Sequence, residues 1–180
     1  MGTATAETRT VAWSLRATDG RIVTPHDLAP KWLLVYFGYT YCPDLCPSAL
    51  LDIAEILRGL GAEATRIQPV FISIDPERDT PENLARYLES FEAPILGLTG
   101  ADEEIASAAR QFAFHYVRYR DPSLAGDSFD HTSSFFLVDA KSRLRADFAT
   151  ELPPAEIAAG IRDLLLSADG SERAATVRAR

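Results

Sequence analysis

The sequence predicts an α/β sandwich built on a mixed central sheet, and three observations predict it. Lys31 to Gly38 (KWLLVYFG) and Pro69 to Ile74 (PVFISI) are continuous apolar runs, the pattern of strands buried on both faces. Each is followed by a segment with helical spacing of apolar residues. Two further short runs flank Ala140-Lys141-Ser142-Arg143 and lead into a closing amphipathic segment. Strand and helix alternating, then a strand pair and a last helix, is the order of a layered α/β domain.

The elements follow in order. Thr10 to Leu15 alternates apolar and polar residues, Ala17 follows, and Thr18-Asp19-Gly20-Arg21 separates this run from Ile22-Val23. Asp-Gly between two such runs signals a hairpin. After the first buried strand, Leu50, Ile53, Ala54, Leu57 and Leu60 recur at helical spacing, with Gly59 and Gly61 as the stop. Asp75-Pro76 closes the second buried strand, and Thr80-Pro81-Glu82 reads as an N-cap, a proline at the first helical position and an acidic first turn. That helix carries Leu84, Tyr87, Leu88 and Phe91 inward. Ile95 to Leu98 is a short strand, Asp102 to about Phe112 a helix, and Phe114 to Tyr119 an alternating strand. Arg120 to Asp130, with its Asp, Pro, Ser and Gly, reads as an exposed loop. Ser134 to Val138 and Leu144 to Ala149 form the second hairpin, and Pro154 opens the last helix, with Ile157, Ile161, Leu164 and Leu165 on one face.

A length of 180 residues fits one domain, placed at residues 10–166, with flexible ends at 1–9 and 167–180. With 47% hydrophobic and 24% charged residues the chain is an ordinary globular one. Lys+Arg 18 against Asp+Glu 26 gives a net charge of −8, which lacks the basic footprint that nucleic acid requires and is repelled by anionic membrane surfaces. The single methionine is Met1, which removes thioether ligands from consideration. No apolar run approaches the length of a membrane span. Met1-Gly2-Thr3-Ala4 has neither a charged nor an apolar leader region, a start that fits an anchor or signal removed upstream.

Both cysteines lie in the connection that follows the first buried strand, Gly38-Tyr39-Thr40-Tyr41-Cys42-Pro43-Asp44-Leu45-Cys46-Pro47. Open α/β sheets place their chemistry at the carboxyl ends of such strands. Buried free cysteine is common, but a position beyond a strand end and at a helix start is expected to face solvent. A residue before proline is pushed out of the helical region, so Cys42 to Cys46 reads as a loop, Cys46 as the N-cap and Pro47 as the first helical residue. The helix dipole then favours a thiolate. Thioredoxin-type motifs have two residues between the cysteines and this one has three. Asp44, between them, opposes a negative sulfur and favours a bound cation or a disulfide. A closed zinc site needs four ligands. Two thiolates with one imidazole suit copper(I) better, because soft sulfur selects it.

Three histidines are available. His26 follows Pro25 in a connector and reads as a surface residue, and His115 falls in the alternating run, at a partly buried strand position. His131 stands between the polar loop and the strand Ser134 to Val138, whose neighbours in the sheet include Lys31 to Gly38. Spacing alone leaves it between a ligand and a capping or surface role. Asp75 and Asp79 border the second strand. A turn with a helix cap accounts for Asp79, and Asp75 is left as a residue at the edge of the site. No glycine-rich phosphate loop or nucleophile elbow is present.

Three motifs in order, over roughly residues 10 to 166, resemble the Sco/SenC family: Val35 to Pro47, Ile74-Asp75-Pro76-Glu77-Arg78-Asp79-Thr80-Pro81, and Asp130-His131-Thr132 ahead of a strand ending in Val138-Asp139. The resemblance implies a thioredoxin-like fold with an added N-terminal hairpin, and copper held by Cys42, Cys46 and His131. It also implies a site on the outer, periplasmic face of the cytoplasmic membrane, reached through an N-terminal anchor. The role implied is assembly of the binuclear copper centre of cytochrome c oxidase, with its copper-receiving subunit, other copper chaperones or thiol–disulfide reductases as partners. The connector Asp27-Leu28-Ala29-Pro30-Lys31 lacks the glycine expected before the lysine, and residues 118–130 look individual.

Two functions remain. A copper chaperone, carrying Cu(I) or Cu(II), needs all three residues. A thiol–disulfide oxidoreductase needs Cys42 and Cys46 as a redox pair and can dispense with His131. A peroxiredoxin-like peroxidase ranks third: it would need Thr three residues before its cysteine, where Tyr39 stands, with Thr40 one place too near.

Overall fold

A computed structural model describes residues 9–42, 45–120 and 127–178. The elements are β1 (Leu15–Ala17), β2 (Ile22–Val23), β3 (Trp32–Gly38), α1 (Leu45–Leu60), β4 (Ile67–Ser73), α2 (Pro81–Leu88), β5 (Leu96–Thr99), α3 (Asp102–Gln111), β6 (Tyr116–Arg120), β7 (Asp127–His131), β8 (Ser134–Val138), β9 (Leu144–Ala149) and α4 (Pro154–Arg178). Short 3-10 turns span Pro25–Leu28 and Gly61–Arg66. Seven strands form one sheet in the order β2-β1-β5-β4-β3-β8-β9. Its centre, β5-β4-β3, is parallel, and β8, β9 and the β1-β2 hairpin are antiparallel to their neighbours. This is the mixed, thioredoxin-like sheet with an N-terminal hairpin that the sequence predicts.

The two apolar runs are the central strands. Every residue of β3 is buried, and β4 pairs with it in parallel from Trp32↔Ile67 to Gly38↔Ser73. Both strands therefore end together, at the edge where the cysteine segment begins. Gly20 in the first hairpin has φ +87°, a conformation open to glycine without strain. Thr80 caps α2 by accepting from the Asn83 N–H at 3.3 Å. Phe37 anchors the aromatic core, stacked on Phe114 at 4.5 Å and edge-on to Phe112 at 5.3 Å.

Four expectations are corrected. The first hairpin is shorter than the alternating run suggests: the strand starts at Leu15, and Thr10 instead bridges to Arg143 beside β9. Asp127 to His131 is a strand, not loop, and it pairs with β6 in a separate two-stranded ribbon. His115 is exposed and precedes β6, with its carbonyl accepting from the Thr132 N–H at 3.1 Å. The helical backbone of α4 continues through Arg178 instead of ending near Leu166. Arg66 holds its early extension through two bonds to Asp169, at 3.0 and 2.7 Å. Residues 1–8, within the expected N-terminal flexible end, lie outside the described residues, as does Asp44. Among the described residues no helix is long and apolar enough to cross a membrane.

Candidate metal centre

Strand β3 ends at Gly38 because nothing larger fits there: an added Cβ would meet Cys46 Sγ at 2.9 Å, Phe71 at 3.0 Å and Tyr36 at 3.1 Å. Cys46 thus lies against the end of the central sheet. Contrary to expectation, it is the second residue of α1 rather than its cap, with Pro47 third, and the pair does not face solvent. Cys46 is 0% exposed and Cys42 9%, and both are thiols. The Cys46 sulfur accepts from the Tyr36 hydroxyl at 3.9 Å and from the Tyr39 N–H. The favoured thiolate expected from the helix start is also corrected. The adjoining Cys42 side chain, then burial, push the Cys46 thiol far up, and its two donors only partly oppose them.

His131 closes the other side. It is the last residue of β7 and half-buried, with its ring 5.7 Å from Phe114 and 6.4 Å from Tyr39. Its Nδ1 is 2.8 Å from the Thr132 carbonyl, an acceptor, which makes Nδ1 the donor and leaves Nε2 as the ring nitrogen not engaged by Thr132. Its side chain is in hydrogen-bond contact with Cys42. Burial alone lowers the His131 pKa, but the contacts with Cys42 and Thr132 outweigh it, and the net direction is upward. The contacts run in sequence from Cys46 to Cys42 to His131. Among the described residues no three His, Cys, Asp or Glu side chains already converge on a common point. A soft cation drawn between the sulfurs and Nε2 would have to bring them closer, and the donor chemistry of two thiols and one imidazole fits such an ion.

The ribbon bearing His131 is held by residues that sequence reasoning passed over. The Tyr39 hydroxyl pairs with Ser128 Oγ at 3.1 Å and accepts from the Phe129 N–H at 3.4 Å. Arg118 on β6 bonds Glu77 at 3.2 Å and lies 3.9 Å from both Asp75 and Asp127. Asp75, 2% exposed, pairs with Arg78, which donates to the Asp127 carbonyl at 2.6 Å and covers the Tyr41 ring at 4.8 Å. Asp75 therefore acts on the site's edge through Arg78 and Arg118, and burial raises its carboxyl more than the arginines lower it. Asp79 is more than a turn residue. It is fully buried and accepts from Thr40 and Ser73. Thr80 already supplied the helix cap, so the sequence offered no separate signal for Asp79. The exposed acid Asp130 adds a charge beside His131, and the exposed His26 lies in the turn Pro25–Leu28.

Residues 2–166 match the family model described as SCO1/SenC. The bovine mitochondrial protein SCO2 homolog is 42% identical over 128 residues, 70% of this chain, which spans about half (48%) of that relative's length. Bradyrhizobium japonicum ScoI, solved with copper bound, is 35% identical, with a TM-score of 0.76 over 86% of this chain and 98% of that one. Arabidopsis thaliana ScoI, also solved with copper bound, is 30% identical, with a TM-score of 0.82 over 88% and 98%.

Proposed function

The chain belongs to the SCO1/SenC family, and from that premise we propose that it carries copper, bound by Cys42, Cys46 and His131, to the binuclear copper centre of cytochrome c oxidase during its assembly. The observation that supports this reading is the chain of side-chain contacts from Cys46 to Cys42 to His131, with the His131 Nδ1 engaged by the Thr132 carbonyl at 2.8 Å. Soft thiolates with one imidazole select copper(I), and the copper-bound Bradyrhizobium and Arabidopsis relatives support the choice of metal. Copper is cargo here. Its binding releases the thiol protons that burial and the neighbouring sulfur now hold in place.

The residues divide the work. Cys46, wholly buried, is the inner ligand and keeps its Tyr36 and Tyr39 donors. Cys42, the more exposed sulfur, and His131 form the outer side, which a receiving protein meets first. The partner is the copper-receiving subunit of the oxidase, with other copper chaperones or thiol–disulfide reductases reloading or reducing the pair. This work belongs on the periplasmic face of the membrane, with the domain tethered by a segment upstream of it. The same difference in exposure favours a second reading, a thiol–disulfide oxidoreductase in which Cys42 attacks and Cys46 resolves.

An anaerobic copper(I) titration of the reduced protein separates the two readings. Wild type is expected to bind one equivalent, His131→Ala to bind much more weakly, and the Cys42→Ser, Cys46→Ser double variant not at all. If His131→Ala binds as tightly as wild type, the three-ligand site is wrong and the dithiol is the functional unit.

A further inference from the structure

A cavity of about 520 Å³ opens at the end of the sheet opposite the cysteines, a size ordinary for a small-molecule site. Strand β3 separates the two. Trp32, at its start, lines the cavity, and Gly38, against the Cys46 sulfur, lies about 20 Å along the strand. Four segments build the walls: the start of β3, the turn between β8 and β9, the 3-10 turn before β4, and α4 past Leu166. Apolar surface comes from Pro30, Ala140, Ala168 and the Trp32 ring, which Arg145 covers at 5.7 Å. Around it stand the cations Lys31, Arg66, Lys141 and Arg143, with the acids Asp139 and Asp169. Both carboxylates are already satisfied. Asp139 accepts from two backbone N–H groups and from the Arg143 and Arg145 side chains, and Asp169 holds Arg66 by two bonds, at 3.0 and 2.7 Å. They therefore offer little to a cation. Lys31, by contrast, is exposed and makes no ion pair among the described residues. Arg143 commits its Nε and Nη2 to Asp139 but not its Nη1. Although the chain carries a net charge of −8, this end keeps cationic donors beside an apolar floor.

We propose that this cavity is a binding site for a small amphiphilic anion, an organic phosphate or carboxylate whose apolar body lies against Trp32 and whose charge is met by Lys31 and Arg143. Guanidinium and ammonium donors make their strongest hydrogen bonds to such oxyanions. Both halves of the ligand matter. A bare inorganic anion leaves the floor around Trp32 in water, and a neutral body leaves the donors without an acceptor. A ligand seated here touches β3, the β8–β9 turn and α4 together, so it ties the extension of α4 to the sheet and stabilises the folded chain by mass action. The inference is independent of the copper reading, because no residue of the cavity is a candidate ligand of the metal.

The test uses four probes. 1-Naphthyl phosphate and 1-naphthoate carry the two acid groups on one apolar body, 1-naphthol is the body without the charge, and inorganic phosphate is the charge without the body. Binding is followed through the indole N–H NMR signals of Trp13 and Trp32, the only tryptophans of the chain, assigned with Trp32→Phe. The naphthyl phosphate, the naphthoate or both should shift the Trp32 signal saturably, leave Trp13 in place and raise the thermal midpoint. Naphthol and inorganic phosphate should bind far more weakly. Lys31→Glu should lower the affinity by about tenfold, the size of one hydrogen bond to a charged group. Arg16→Glu, an equal change of charge on β1, three strands from β3, should leave the affinity as in wild type. A Trp32 signal that neither acid moves would overturn the proposal. So would naphthol binding as tightly as the acids, which would mark an apolar patch, or inorganic phosphate doing so, which would remove the apolar half of the ligand. Equal losses in Lys31→Glu and Arg16→Glu would overturn it as well, since net charge alone would then account for the binding.

Discussion

Asp79 takes both hydrogen bonds that Thr40 has to give, from the backbone N–H at 3.0 Å and from the hydroxyl at 2.5 Å. Ser73, the last residue of β4, adds a third at 2.6 Å. One buried carboxylate therefore ties the segment entering the cysteine loop to the neighbouring strand and to the start of α2. Asp79→Ala would strand two hydroxyls and one N–H in the interior, at about 3 kcal/mol of stability. Denaturant unfolding should show that loss, and Asp79→Asn, which keeps an acceptor oxygen, about half of it. Copper affinity should fall in the same order, because Cys42 follows Thr40 by two residues.

Gly38 sets how closely Cys46 can approach the sheet. The methyl group of Gly38→Ala would come within 2.9 Å of the Cys46 sulfur, with Phe71 and Tyr36 blocking its other sides. Overpacking at such a site costs about 2–3 kcal/mol. The expected outcome is a folded but destabilised protein whose Cys46 is displaced and modified by thiol reagents faster than in wild type. A Gly38→Ala variant with wild-type stability and wild-type thiol reactivity would contradict this account of the strand end.

How much of this was legible in the sequence depended on whether the signal was local. The buried strands β3 and β4, the Gly20 turn and the Thr80 cap each rest on neighbouring residues, and each was read from them. The strand Asp127–His131 was missed because Ser128, Phe129 and Asp130 carry no clean alternation, and Phe129 is buried by Tyr39, 90 residues away. The burial of the cysteines was missed for a related reason. A helix start suggests exposure, but here Gly38 lets the Cys46 sulfur sink against the sheet, and His131 of the ribbon contacts Cys42. The role of Asp79 was hidden by Thr80, which accounted for the same turn by itself. Cys42, Cys46 and His131 stand out in the sequence only through their motifs, and the contacts that bring His131 to Cys42 carry no local signal, because they are made between β6, β7 and the segments that follow β3 and β4.

Arg118 tests whether those contacts matter to the site. It is about one-third exposed (34%), bonds Glu77, lies near Asp75 and Asp127, and covers the Phe129 ring at 5.3 Å. Screening by water limits its share of global stability, so Arg118→Gln should lower unfolding stability by only about 0.5–1 kcal/mol. Copper affinity should drop more visibly, by up to about tenfold, since the ribbon that orients His131 loses its clamp. That drop should stay smaller than the loss in His131→Ala, and it should narrow at high salt, where the wild-type clamp is itself screened. An Arg118→Gln protein that binds copper like wild type at low salt would show that Tyr39 and Arg78 hold the ribbon without it.

At the opposite end of the sheet, Asp139 gives the stability of the protein a dependence on acid. It is 4% exposed and accepts from the backbone N–H groups of Lys141 and Arg143, at 2.9 and 3.0 Å, and from the side chains of Arg143 and Arg145, at 2.8 and 3.1 Å. Burial works to raise its carboxyl, but the bonds from Arg143, then Arg145 and Lys141, outweigh it and hold the carboxyl below the ordinary value of 3.8. A carboxyl depressed on folding contributes stability that is fully present above its unfolded value and is lost as pH falls through its folded one. Urea unfolding of wild type should therefore weaken as the pH drops below about 4. Asp139→Asn should be less stable at neutral pH by about 2 kcal/mol, a modest figure because Arg143 is partly open to water. Its stability should also fall less steeply with acid, so that the two proteins converge at low pH. Parallel curves would mean that Asp139 does not carry the acid sensitivity.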